Sequence, residues 1–113
     1  MKILYGIKNC DSVKKARVWL DKHQVAYQFH DFRAEGLSSE QLDVFIKKVG
    51  WESLLNKRST SWRQLTDQQK TDLNAIKAAG LMLDNLTLIK RPVLDTGEQL
   101  LIGFNSENYQ TLL

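Results

Sequence analysis

The sequence predicts an α/β fold: a four-stranded mixed β-sheet flanked by helices, with a helical insertion over about residues 38–89. Three observations carry this. An apolar, β-rich start runs into an amphipathic stretch and then a second strand pattern. The middle of the chain has two capping boxes and helical stripes but no strand pattern. The end has two short apolar segments around turn residues, followed by a helix start.

The first strand is read at Lys2 to Ile7, where Gly6 and Asn9 then loosen the chain. A helix follows from Asp11 to His23, with Val13, Ala16 and Leu20 on one stripe and Trp19 beside them. Asp11 and Ser12 suit its first turn, where orphan N–H groups need acceptors, and Asp11 is expected to cap them. Tyr27 and Phe29 alternate with Gln28 and His30 in a second strand from Ala26 to Phe32, with His30 facing solvent.

Gly36 marks a loop. Ser38 followed by Gln41 is a capping box opening a helix whose stripe is Leu42, Phe45, Ile46 and Val49, with Gly50 as its stop. Residues 51–65 read as short helical turns. Thr66 and Gln69 form a second box, and its helix is expected to reach Ala79 and end at Gly80, with a further short helix from Asp84 to Ile89. Proline cannot donate to a ladder, so Pro92 opens a strand rather than interrupting one. Residues 92–94 and 99–102 are then two strands joined by Asp95, Thr96, Gly97 and Glu98, which is hairpin turn chemistry. A last helix starts near Asn105. The order β-α-β, helices, β-β-α is that of a thioredoxin-like architecture, read as one domain over residues 1–113 with the helical insertion inside it.

The 113 residues are 42% hydrophobic and 26% charged, which suits a globular chain able to bury a core without staples. No apolar run reaches the roughly 18–20 residues that span a bilayer. The N-terminus is too short and too soon interrupted by charge to be a secretory signal. A cytoplasmic protein with no membrane partner is expected, and nothing demands more than a monomer. The net charge of +3 is uneven: residues 1–23 carry +4 and the rest −1. This favours an anionic ligand near the N-terminus. A long basic stripe interleaved with aromatics is missing, so no nucleic acid partner is expected.

Cys10 is the one cysteine, which excludes an internal disulfide and any all-cysteine metal site. His23 and His30 stand seven apart, which suits no common zinc spacing, and no metal is expected. His23 reads as a helix-end residue, and Trp19, Trp51 and Trp62 as packing residues. A lone cysteine is ordinarily a small buried hydrophobe. Cys10, however, lies in the polar stretch Lys8, Asn9, Cys10, Asp11, Ser12, where a strand hands over to a helix. Amide N–H groups and the macrodipole favour a thiolate there, and Lys8, Lys14 and Lys15 are close in sequence. Val13 stands where a Cys-x-x-Cys site would have its second thiol, so a disulfide formed by Cys10 must be resolved by an outside thiol.

Residues 5–16, around Cys10, resemble the active-site segment of the arsenate reductase-like family. That family comprises the glutaredoxin-coupled arsenate reductases (ArsC), the regulator Spx and the YffB-type reductases. The resemblance extends to residues 56–59, 88–93 and 102–107, and the YffB-type branch fits these segments best. It implies a thioredoxin-like fold with a helical insertion, Cys10 as the nucleophile, and Pro92 as the cis-proline held beside the thiol. The Arg91 backbone would pair with a bound glutathione, and its side chain would favour an anion or thiolate. Arg58 matches the family's middle basic segment. The expected site is thus Cys10 with Asn9, Ser12, Arg58, Arg91 and Pro92 around glutathione. No cofactor is bound; glutathione or a small thiol is the co-substrate, with glutaredoxin as a protein partner.

Two departures bear on activity. Arsenate reductases carry a third arginine in the segment where this chain has Phe104, and phenylalanine cannot supply the charge-assisted donors a tetrahedral dianion needs. Spx carries a Cys-x-x-Cys pair, and Val13 replaces its second thiol. The resemblance implies a monothiol, glutathione-dependent thiol reductase. The alternatives are an Spx-like regulator that binds RNA polymerase and a genuine glutaredoxin-coupled arsenate reductase.

Overall fold

Strand β1 (Lys2–Gly6) places Leu4 and Tyr5 on opposite faces of the sheet, as the two-residue period of a strand requires, and both are buried. In the computed structural model, which describes residues 1–113, the chain divides into two compact units. One comprises residues 1–36 and 91–113, the other residues 37–90.

The first unit holds the sheet. After β1 come helix α1 (Asp11–Lys22) and strand β2 (Tyr27–Asp31), which lies parallel to β1 with Leu4 opposite Phe29. A one-turn helix α2 (Phe32–Glu35) follows, its amides capped by the Asp31 carboxylate. From the chain's end come β3 (Val93–Asp95), β4 (Leu100–Ile102) and α8 (Ser106–Gln110). The sheet order is β2-β1-β3-β4, with β3 antiparallel to both neighbours. This is the mixed four-stranded sheet the sequence predicts. The hairpin turn is held by Asp95 Oδ1, which accepts from the Gly97 amide at 2.8 Å. The core on the α1 side joins Leu4, Ala16, Leu20, Leu94 and Tyr109, all fully buried. Each large apolar side chain there contributes about 1.5–3 kcal/mol.

The second unit is helical: α3 (Ser39–Val49), α4 (Trp51–Leu54), α5 (Thr60–Arg63), α6 (Asp67–Lys70), α7 (Ala75–Asp84) and a 3₁₀ turn at Leu86–Leu88. The Ser38–Gln41 capping box opens α3 as expected. An isolated bridge pairs Leu55 with Ile89, and the Lys90 amide donates to the Leu54 carbonyl at 2.8 Å.

The structure corrects the reading of residues 66–89. The Thr66–Gln69 box is present but opens only one turn. Thr71 is extended, Asp72 takes a left-handed φ of 53°, and Asn74 recaps the chain by accepting from the Lys77 amide. The helix then runs through Gly80 to Asp84. Glycine costs about 1 kcal/mol in a helix, and burial of Leu81 and Met82 outweighs it. The helix expected from Asp84 to Ile89 is the shorter 3₁₀ turn.

Candidate functional site

Cys10 is the N-cap of α1, with extended backbone angles (φ −87°, ψ 126°). Its amide donates to the Ile7 carbonyl at 3.1 Å, and its carbonyl accepts from the Lys14 amide at 3.0 Å. These two bonds fix the handover from strand to helix and turn the half-buried side chain toward the unfilled amides of the first turn. Glycine at position 6 permits this approach. A Cβ there would lie 2.6 Å from Val13 Cγ2, and Val13 is fully buried.

As a neutral thiol, Cys10 makes no side-chain cap bond. Its ionisation is favoured nonetheless. Burial opposes the charge, but the Val13 amide, the hydrogen-bonding Arg91 guanidinium, the Ser12 amide and the positive field of Arg91 outweigh it. The thiol is therefore held below its ordinary pKa. The cation that acts on the sulfur is Arg91; Lys8, Lys14 and Lys15 are exposed and take no part in the shift. Asp11 does not cap the helix as expected. The N-cap falls one residue earlier, on Cys10, and Asp11 stands exposed at the first helical position.

Arg91 belongs to the same unit as Cys10 and is joined to Pro92 by a cis peptide bond. The Pro92 carbonyl accepts from the Gly103 amide at 2.8 Å, which ties the Arg91–Pro92 segment to the end of β4. Gly103 has a left-handed φ of 73° and turns the chain so that Phe104 packs edge-on to Tyr109, ring centroids 5.0 Å apart. The structure thus brings Cys10, Ser12, Arg91 and Val13 into one electrostatic group, Ser12 through its backbone. Asn9 lies exposed in the turn before Cys10. Arg58 lies in the helical unit, exposed, its amide donating to Asn56 Oδ1 at 3.0 Å and its carbonyl accepting from Arg63.

Other polar residues have structural partners. His23 Nδ1 lies 2.9 Å from the Trp19 carbonyl, and the two rings stack at 4.0 Å, in keeping with a helix-end role. His30 is not solvent-facing as expected: Nε2 lies 2.7 Å from the Gly36 carbonyl and the ring packs against Tyr5. The α2 turn brings Gly36 back to it. The ammonium groups of Lys57 and Lys70 lie 5.6 and 5.2 Å from the centre of the Trp62 ring. No group of three or more His, Cys, Asp or Glu is gathered as a metal site. No helix is long and apolar enough to cross a membrane.

Sequence reasoning missed Gly6 and Val13 as parts of the site. The available signal was a glycine at the end of an apolar strand, one loop before a cysteine, facing a buried valine in the first helical turn.

The fold and the family are shared with known proteins. The solved structure of the YFFB protein is 47% identical, covers 98% of this chain and 97% of its own, and superposes with a TM-score of 0.95. An arsenate reductase (ArsC) related protein from Brucella melitensis is 44% identical, covering 97% of this chain and 92% of its own, with a TM-score of 0.79. An uncharacterized Haemophilus influenzae protein is 46% identical over 107 residues, 95% of this chain and 94% of its own. The global transcriptional regulator Spx of Lactiplantibacillus plantarum is 28% identical over 115 residues, covering 100% of this chain and 86% of its own. The sequence pattern of the ArsC family runs through residues 5–112, from within β1 to beyond α8, and the chain belongs to that family.

Proposed function

We propose that the protein is a monothiol reductase that uses glutathione. The observation that carries the reading is the Cys10 sulfur at the head of α1, held below its ordinary pKa by first-turn amides and Arg91. A thiolate is the reactive form of cysteine toward disulfides. The Cys10 thiolate attacks one sulfur of an oxidised substrate disulfide. A Cys10 mixed disulfide forms, the substrate S–S bond breaks, and the departing thiolate takes a proton from water. A glutathione thiolate then attacks the mixed disulfide and releases Cys10 as thiolate. A second glutathione completes reduction of the substrate, leaving glutathione disulfide as the oxidised product.

Arg91 steadies the negative charge on the attacking and leaving sulfurs. Asn9, Ser12 and Pro92 complete the proposed glutathione contacts. Cys10 is the only cysteine, so the external thiol is required by the chemistry. Phe104 argues against arsenate as substrate. It packs on Tyr109 and brings no donor to a dianion.

Mass spectrometry after incubation with glutathione disulfide tests the reading. The expected product is one glutathione adduct on Cys10, removed by excess reduced glutathione. An unmodified protein under conditions that modify free cysteine would overturn it.

A further inference from the structure

The outer face of α1 forms one side of a groove of about 420 Å³, lined by Lys14, Lys15, Val18, Trp19, Lys22 and Phe104. Its apolar part is unusual for a helix surface: Val18 is 66% exposed, and Trp19 and Phe104 are only partly covered. The three lysines around it are paired with no carboxylate. The groove starts one turn from the nucleophile, since the Lys14 amide is the one bonded to the Cys10 carbonyl.

We propose that this groove docks an acidic polypeptide segment bearing an apolar anchor side chain, belonging to the protein that exchanges disulfides with Cys10. The inference rests on the proposed thiol chemistry for the identity of the partner, and on the groove alone for its charge and shape. Unpaired ammonium groups around an apolar floor complement carboxylates on either side of an aromatic or aliphatic residue. A flat lipid surface meets the lysines but cannot reach a concave floor, whereas one side chain can. A chain lying along α1 from Lys22 to Lys14 carries its own sulfur toward Cys10. There the thiolate would attack the partner's disulfide, forming the Cys10–partner bond and expelling the second partner sulfur as a thiolate.

The test uses two peptides of equal length, each with a central phenylalanine and a terminal cysteine held as a disulfide with thionitrobenzoate. One carries four glutamates and the other four lysines. Attack by Cys10 on the peptide sulfur releases the coloured thionitrobenzoate anion. The acidic peptide is expected to react at least tenfold faster, and Val18→Glu and Lys22→Glu to abolish that preference while leaving the rate with glutathione disulfide unchanged. Equal rates for the two peptides, or a preference untouched by both substitutions, would overturn the groove and leave the Cys10 chemistry standing. Failure of every disulfide to react would overturn the chemistry instead. The groove is then judged with Cys10→Ser protein and the same acidic peptide, dye-labelled and lacking its cysteine. Binding lost in Lys22→Glu supports the groove. Absence of binding, or equal binding to the lysine peptide, refutes it. Adsorption to phosphatidylglycerol vesicles without peptide binding also refutes it.

Discussion

Gly6 and Val13 meet across the strand–helix junction so closely that a methyl group on Gly6 would lie 2.6 Å from Val13 Cγ2. Val13 is fully buried and cannot swing aside. Its amide makes the largest single hydrogen-bond contribution in favour of the Cys10 thiolate. Gly6→Ala is therefore expected to push the first turn of α1 away from the sulfur, raising the Cys10 pKa, and to cost about 1–3 kcal/mol of stability through overpacking. Thiolate absorbance against pH and denaturant melts measure the two effects. An unchanged titration with reduced stability would mean that the contact serves packing alone.

Arg91 acts on the sulfur both by hydrogen bonding and by charge. Arg91→Gln should raise the Cys10 pKa and slow its alkylation by iodoacetamide at neutral pH. Lys14→Gln should leave both unchanged, because that ammonium takes no part in the shift.

The lowered Cys10 pKa also makes stability depend on pH. Between the folded and unfolded thiol values, the unfolded chain binds more protons, so stability rises with pH in that window. The contribution is complete above the unfolded value of about 8.5 and is lost as pH falls through the folded one. The difference in melting temperature between the wild type and Cys10→Ser should therefore grow in favour of the wild type from acid to pH 9.

Tyr109 is fully buried, and its hydroxyl has no hydrogen-bond partner. Burial pushes its phenol pKa far up. The folded value lies above the unfolded one, so stability is intact below about pH 10 and drains away as pH rises beyond it. Tyr109→Phe should gain about 1 kcal/mol at neutral pH by removing an unsatisfied group, and should resist alkaline unfolding better than the wild type. Both are read from denaturant melts at neutral and alkaline pH.

Gly80 sits inside α7 with open space where a Cβ would go. Gly80→Ala should stabilise the protein by about 0.5–1 kcal/mol, seen as a higher melting temperature.

The sheet was legible because its strands carry their own punctuation: Pro92 before β3, the Asp95–Gly97 turn after it, and Gly6 and Asn9 after β1. The cysteine was legible because polar neighbours excluded a packing role. The break at residues 71–74 was not. Thr71, Asp72 and Asn74 are all tolerated in a helix, so the left-handed turn at Asp72 and the Asn74 cap that starts the helix packing Leu81 and Met82 do not stand out in the sequence. The source of positive charge at Cys10 was also half-hidden. Sequence proximity favours lysines, whereas folding delivers Arg91 from the far end of the chain. His30 looked exposed by strand alternation alone, until the α2 turn brought the Gly36 carbonyl to it.

The central claim is that first-turn amides and the guanidinium of Arg91 favour ionisation of the sole thiol. Its most direct measurement is the ultraviolet absorbance of the Cys10 thiolate across pH 4–11, with Cys10→Ser as the blank. A midpoint clearly below the ordinary thiol value of about 8.5 is expected. A midpoint at or above that value would contradict it.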